Sequence, residues 1–278
     1  MKHSLAFVIT AVALLQADSL FAQGGFDPEV ITADLLPPNE NLHLYLLLGQ
    51  DNMAGRGEMT DADREQLPRV IKLDDKNHWV PAADPLHAER GAVAGVGPGM
   101  TFARYMSERN EEISIGLIPC AVRGSSLKRW GKNGDLYRRA VTRAKIAMKV
   151  GTLKGILWHH GEFDARRRLT ANTYRLRMIM LIEDLRRDLK DPRLPLVVGR
   201  LGEFIRPNRL PYAHMVNNGI DKLPKDIKFM RIVQSTSFSR KPYELESFNA
   251  PSAREFGRRY ARAMIEVQRE YVRKKINY

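Results

Sequence analysis

Apolar and polar positions along the chain follow two periods. Short, nearly continuous apolar runs at residues 44–48, 113–118, 155–158, 196–198 and 229–233 have the length and character of strands buried on both faces. Between them, residues 101–109, 136–150, 170–189 and 252–274 carry apolar side chains at helical spacing, as in Tyr174, Met178, Leu181, Ile182 and Leu185. Strand and helix alternate from end to end. That order predicts an α/β fold: a three-layer α/β/α sandwich with a central parallel sheet and helices on both faces. In such a fold, ligand chemistry belongs in the loops leaving the carboxyl ends of the strands. No internal repeat or low-complexity tract interrupts the alternation.

The start of the chain stands apart from this pattern. Lys2 and His3 precede an apolar stretch over 5–15, and Leu20-Phe21-Ala22 offers a small residue for cleavage, so residues 1–22 read as a signal peptide and the expected location is secreted or periplasmic. The apolar stretch falls short of the roughly 20 residues a membrane-crossing helix needs, and no later stretch reaches that length, so no membrane span is expected. Residues 23–41, rich in Gly, Pro, Asp and Asn, read as a leader segment lying over the domain. Residues 42–278 suit a single domain with a substantial core.

Composition narrows the partners. Lys and Arg number 45 against 32 Asp and Glu, a net charge of +13 over 278 residues. The basic residues are scattered through amphipathic helices, as over 166–187, and form no nucleic-acid module, so nucleic acid is not the expected partner. Acidic polysaccharide or an anionic cell-envelope surface suits an exported basic protein better, beside the plain alternative of a solvated basic surface. Cys120 is the single cysteine, which excludes an intramolecular disulfide and a cysteine-based zinc cluster; beside Pro119 at a strand end it is expected to pack in the core.

The chemistry concentrates in a few segments. Residues 44–57 run from a strand into a glycine-bounded turn, Gly49-Gln50-Asp51-Asn52-Met53-Ala54-Gly55-Arg56-Gly57, of the kind that presents one side chain at the top of a sheet. This segment resembles the first block of the SGNH esterases, specifically carbohydrate esterase family 6 and the sialate O-acetylesterase domain, in which Gly-Gln-Ser-Asn-Met-Ala-Gly-Arg-Gly is usual. Asp51 stands where that family has its serine. Asp84-Pro85-Leu86-His87 with Gly95-Val96-Gly97-Pro98-Gly99-Met100, then residues 115–127, then residues 155–165 extend the resemblance over most of the chain in the family's order. The resemblance implies an SGNH, flavodoxin-like fold and a hydrolase of carbohydrate acetyl esters that uses no cofactor. It also implies a serine nucleophile, a histidine base with an aspartate three residues before it, and an oxyanion bound by backbone amides at the serine and at a glycine of the second block.

The match breaks at the reacting groups. The second-block Gly-Gly pair reads Arg123-Gly124, Gln-Gly-Glu-Ser-Asp reads His160-Gly161-Glu162-Phe163-Asp164, and Asp-x-x-His-Phe-Asp reads Glu244-Leu245-Glu246-Ser247-Phe248-Asn249. Ser247 falls where the histidine belongs and Glu244 where its aspartate belongs. By family position the catalytic candidates are Asp51, His160, Glu162 and Glu244, and the substrate-binding candidates are Gln50, Asn52, Arg123, Gly124 and Ser247. His160 is expected to enter the pocket, as acid or base or simply hydrogen-bonded to Asp51. Glu162 and Asp164 are also candidates for holding the turn. Arg123 is placed to pair with Asp51 or to bind an anionic group.

Three functions remain open on the sequence. A carboxylate attacking an acetyl ester would form a mixed anhydride that reverts, so serine-type deacetylation is expected to be impaired or altered. Asp51 with a second carboxyl, Glu162, Asp164 or Glu244, would suit a glycosidase better. A glycan-binding pseudoenzyme needs only the cleft and aromatic side chains; Trp130 and Trp158 are stacking candidates, although burial is the commoner fate of tryptophan. Metal binding by His87, His159, His160, Asp51 and Glu162 is not expected: their spacing matches no ligand signature, and an adjacent histidine pair at a strand end points to opposite faces.

Overall fold

The computed structural model describes residues 29–87 and 94–276; the segment read as a signal peptide lies outside these. Its sheet has seven strands: β1 (Leu42–Gly49), β2 (Val70–Leu73), β3 (Trp79–Pro81), β4 (Ser114–Pro119), β5 (Thr152–His159), β6 (Leu196–Gly199) and β7 (Met230–Val233). Their spatial order is β3-β2-β4-β1-β5-β6-β7. All neighbours run parallel except β3, which pairs antiparallel with β2 at the edge. The five predicted strands form the parallel body of the sheet. Sequence reading did not anticipate β2 and β3.

Alternation along β1 divides the core into two layers. Leu44, Leu46 and Leu48 face α4 (Asp135–Ala147) and α6 (Tyr174–Asp188), whereas Tyr45 and Leu47 face α2 (Pro98–Ser107) and α8 (Ala250–Ile276). The predicted helix over 170–189 divides into α5 (Arg168–Asn172) and α6. Shorter helices α1 (Asp51–Ala54) and α3 (Leu127–Trp130), and the unanticipated α7 (Ala213–Lys222), complete the layers. Trp130 and Trp158 are both buried and meet edge to face at 5.4 Å, so neither is a sugar platform. Cys120 is buried in the first layer, as expected.

Of the segment read as a leader, residues 29–41 are described. Ile31 donates its N–H to Trp79 O at 2.8 Å and packs against the core beside β3. Among the described residues, no helix is long and apolar enough to cross a membrane.

Candidate active-site cleft

β1 ends at Gly49, whose φ of 141° and closeness to β5 both demand glycine: a Cβ there would fall 1.9 Å from His159 O. This close approach lets the chain turn directly into α1, so Asp51 begins the helix at the carboxyl end of the central strand. The loop after β4 brings Arg123 and Gly124 to the same end, and the loop after β5 brings Glu162 and Phe163. A small hairpin, β8 (Arg240–Lys241) and β9 (Glu244–Phe248), closes the remaining side. The result is a polar cleft of about 300 Å³. It lies where the strand and helix alternation placed it.

Asp51 is held by its neighbours. Gly124 donates its backbone N–H to Asp51 Oδ2 at 2.8 Å, and Arg123 Nε lies 3.3 Å from Oδ1. Gln50 Nε2 approaches Oδ2 at 3.4 Å. Gly124 sits at φ 60° in the left-handed region. The expected pairing of Arg123 with Asp51 is therefore present.

Glu162 lies at the floor. Its Oε1 accepts hydrogen bonds from Asn52 Nδ2 at 2.7 Å and from His159 Nε2 at 3.1 Å, while its buried Oε2 has no protein partner among the described residues. Burial alone would raise the Glu162 pKa, but His159 and the two hydrogen bonds outweigh it and keep the carboxyl below its ordinary range. Asn52 is equally occupied: its Nδ2 also reaches Glu246 O at 3.0 Å, and its Oδ1 accepts the Phe248 N–H at 2.9 Å. Asn52 thus ties the first turn to the hairpin. Asp164 is the structural residue its alternative reading expected, accepting from Leu127 N and Arg177, both at 2.8 Å.

Two expectations need correction. His160 does not enter the cleft or touch Asp51. It is fully buried, with Nε2 donating to Ser125 O at 2.8 Å and its ring stacked on Tyr174. Burial drives its pKa down, so it is neutral there. The reason is strand geometry: His159 points toward Phe248 and Phe256, and His160 turns to the opposite layer beside Trp158. Glu244 is likewise unsuited to donating a proton. Arg56 grips both of its oxygens, Nε on Oε2 at 3.0 Å and Nη2 on Oε1 at 3.2 Å; Lys241 and Ser247 Oγ each reach it at 3.0 Å. Although burial opposes it, this cluster brings the Glu244 pKa down to about 2. Ser247 lines the cleft at the position aligned with the family's histidine and offers only a hydroxyl.

The cleft also contains residues the sequence did not single out: Arg166, Arg209 and Tyr243, with Phe163 and Glu246, named only within their blocks. Glu246 is clamped by Arg166, whose Nη2 donates to Oε2 at 2.6 Å. Burial raises its pKa; Arg166 opposes the rise, and Glu162 and Asp51 add to it. Tyr243, at 98 % exposure, and the half-exposed Phe163 present aromatic surface to solvent at the cleft. His87 is buried away from the cleft, and burial with nearby Lys72 pushes its pKa down to about 3.

A parallel α/β sandwich with its polar cleft at the strand ends, opening on a Gly-Gln-x-Asn turn, has the architecture of the SGNH hydrolase class. Residues 41–266 match the family described as SASA, carbohydrate esterase, sialic acid-specific acetylesterase, and the chain belongs to that family. A probable carbohydrate esterase of Arabidopsis thaliana is 37 % identical over 181 residues, which span 58 % of this chain and 68 % of the plant protein. The crystal structure of that plant protein superposes with a TM-score of 0.74 at 29 % identity, covering 83 % of this chain and 99 % of the other. NanS shares the fold with a TM-score of 0.69 at 18 % identity, covering 84 % and 99 % of the two chains. A carbohydrate acetylesterase from Xanthomonas citri gives 0.64 at 18 % identity, covering 83 % of this chain and 57 % of that one.

Proposed function

We propose that this protein is an exported, carbohydrate-binding member of the acetylesterase family that has given up serine-type deacetylation. The observation that carries the reading is the 2.8 Å hydrogen bond from Gly124 N–H to Asp51 Oδ2. In the family pattern that amide would serve the oxyanion of a tetrahedral intermediate. Here a resident carboxylate occupies it, and Arg123 adds an ion pair to the same group. Among the described residues no imidazole lines the cleft, and the groups nearest the family's base position are a hydroxyl, Ser247, and a carboxylate held at about 2. A group so weakly basic is a poor proton acceptor at neutral pH.

Carbohydrate remains the ligand class that suits the cleft. Tyr243 and Phe163 supply exposed aromatic faces, and several carboxylates and guanidinia supply the polar partners that sugar hydroxyls need. The names of the plant and Xanthomonas relatives point to the same class. Export rests on the basic start, apolar run and small residue of positions 1–22.

The test is calorimetric titration of the purified protein with acetylated xylan oligosaccharides and sialosides, run beside acetate release from the same glycans and from an aryl acetate. Binding with acetate release at the buffer rate is expected. Acetate release above buffer that disappears in Asp51→Asn would make Asp51 a working nucleophile and sink the reading. One observation favours a second reading: Glu246, with a raised pKa, shares the cleft with Asp51, the carboxylate combination a glycosidase uses. Reducing-sugar release that is lost in both Asp51→Asn and Glu246→Gln would establish it in place of the first.

A further inference from the structure

At the opposite end of the sheet, where the parallel strands begin, the fold leaves a second pocket of about 460 Å³. Its floor is apolar: Ile115 at the start of β4, Met106 from α2, and the ring of the fully buried Tyr45 on β1. One face of α8 forms a wall, with Ile265, Gln268, Arg269, Val272 and Arg273 falling at successive helical turns. Apart from the arginines, the titratable groups that line it, Tyr45 and His43, are uncharged at neutral pH. Tyr45 hydroxyl accepts from Gln268 Nε2 at 3.1 Å, and burial together with Lys154 brings the His43 pKa down to about 4.

The rim carries the opposite character. Arg109, just beyond α2, and Arg269 and Arg273, one turn apart on α8, all line the pocket. All three are exposed, and among the described residues none of them has an ion pair or a side-chain hydrogen bond. Among the described residues no acidic one lines the pocket. Three unpaired guanidinia around an apolar recess repel one another, and each retains the planar donors that match a carboxylate. An anion at the mouth would relieve both conditions.

We infer that this pocket binds a free medium-chain carboxylate, with its acyl chain along Met106, Ile113 and Ile265 and its head group among Arg109, Arg269 and Arg273. The volume falls in the range of small-ligand sites. The recess favours a single chain over a bilayer surface: Val272 is the one strongly exposed large apolar residue that lines it, so no apolar patch surrounds the mouth for insertion. The site is independent of the cleft at the other end of the sheet.

Titration of the purified protein with sodium decanoate tests the inference, alongside hexanoate, decanol and phosphatidylglycerol vesicles. Decanoate is expected to bind saturably at one site. Hexanoate should be weaker by up to roughly fourfold per methylene lost, and decanol by about tenfold or more because it lacks the charge-assisted bonds. The triple variant Arg109→Ala, Arg269→Ala, Arg273→Ala should lose about tenfold or more of the decanoate affinity. Val272→Glu, a change at an exposed position, should weaken it by placing a negative charge at the mouth. Absence of saturable decanoate binding, equal affinity in the wild type and both variants, or attachment to vesicles without binding of free decanoate would each overturn the proposal.

Discussion

At position 51 an aspartate differs from a serine in reach as well as charge. Its carboxylate extends one atom further and arrives at the Gly124 amide, so the donor that would await a reacting oxyanion is already satisfied. Ser247 Oγ donates to Glu244 Oε2 at 3.0 Å, which means that an imidazole at 247 would meet the same carboxylate from three residues away. The geometry for orienting a base thus survives although the base does not. Asp51→Ser alone is expected to release acetate from an aryl acetate at the buffer rate, since no group beside it can take the serine proton. Asp51→Ser with Ser247→His should exceed the single variant by roughly 100-fold or more, the usual worth of a positioned general base. Stopped assays on the two purified variants decide this; equal rates, or strong activity in the single variant, would mean that another group already acts as base.

Among the elements, the hairpin of β8 and β9 governs the shape of the cleft and was the least visible in sequence. Its residues Glu244-Leu245-Glu246-Ser247-Phe248 place two charges before a single buried apolar anchor, Phe248, and carry no apolar run that would mark a strand. The hairpin is held by tertiary contacts instead. Asn52 contacts it at two points, receiving the Phe248 N–H and reaching the Glu246 carbonyl. Asn52→Ala leaves a buried amide without an acceptor, so it should cost about 1–3 kcal/mol. Denaturant unfolding would measure the loss, and hydrogen exchange at the Phe248 amide should accelerate more than at β1 amides. The central strands were legible because burial on both faces leaves continuous apolar runs, as in Leu44 to Leu48. β2 was hidden by Lys72 within a four-residue strand and β3 by its length of three. α7 was hidden by Asn217, Asn218 and Gly219, which lower helix propensity while Val216 and Ile220 anchor its buried side. Asp51, Glu162 and Arg123 were found because they lie within the family blocks. Glu246 lies within the last block but at one of its variable positions, and Arg166 and Arg209 carry no local signal of their own, since only the folded hairpin and loops bring these side chains to the cleft.

For the molecule as a whole, buried and half-buried ionisable groups set opposing limits on stability against pH. Asp84 is buried near Asp63, and burial first, with Asp63 second, pushes its pKa up to about 8 despite Lys72 and Arg254. A carboxyl whose native pKa lies above its unfolded value of 3.8 favours the fold while protonated. That contribution is complete below about pH 4 and is lost as pH rises through about 8, at up to about 1.4 kcal/mol per pH unit within the window. His87 and Glu244 act at the acid limb. The native His87 pKa of about 3 lies below its ordinary 6.5, and that of Glu244, about 2, below its ordinary 4.5, so stability falls as each unfolded group takes up a proton that the native group refuses. Asp84→Asn keeps an oxygen acceptor for the Gly97 amide that Asp84 contacts and removes the alkaline loss. Thermal unfolding from pH 4 to 9 should therefore show the variant gaining on the wild type as pH rises, with the largest gain at the alkaline end and little difference near pH 4. A constant difference across the range would mean that Asp84 is ionised in the native protein throughout, balanced by Lys72 and Arg254, and that its burial is not what limits stability in alkali.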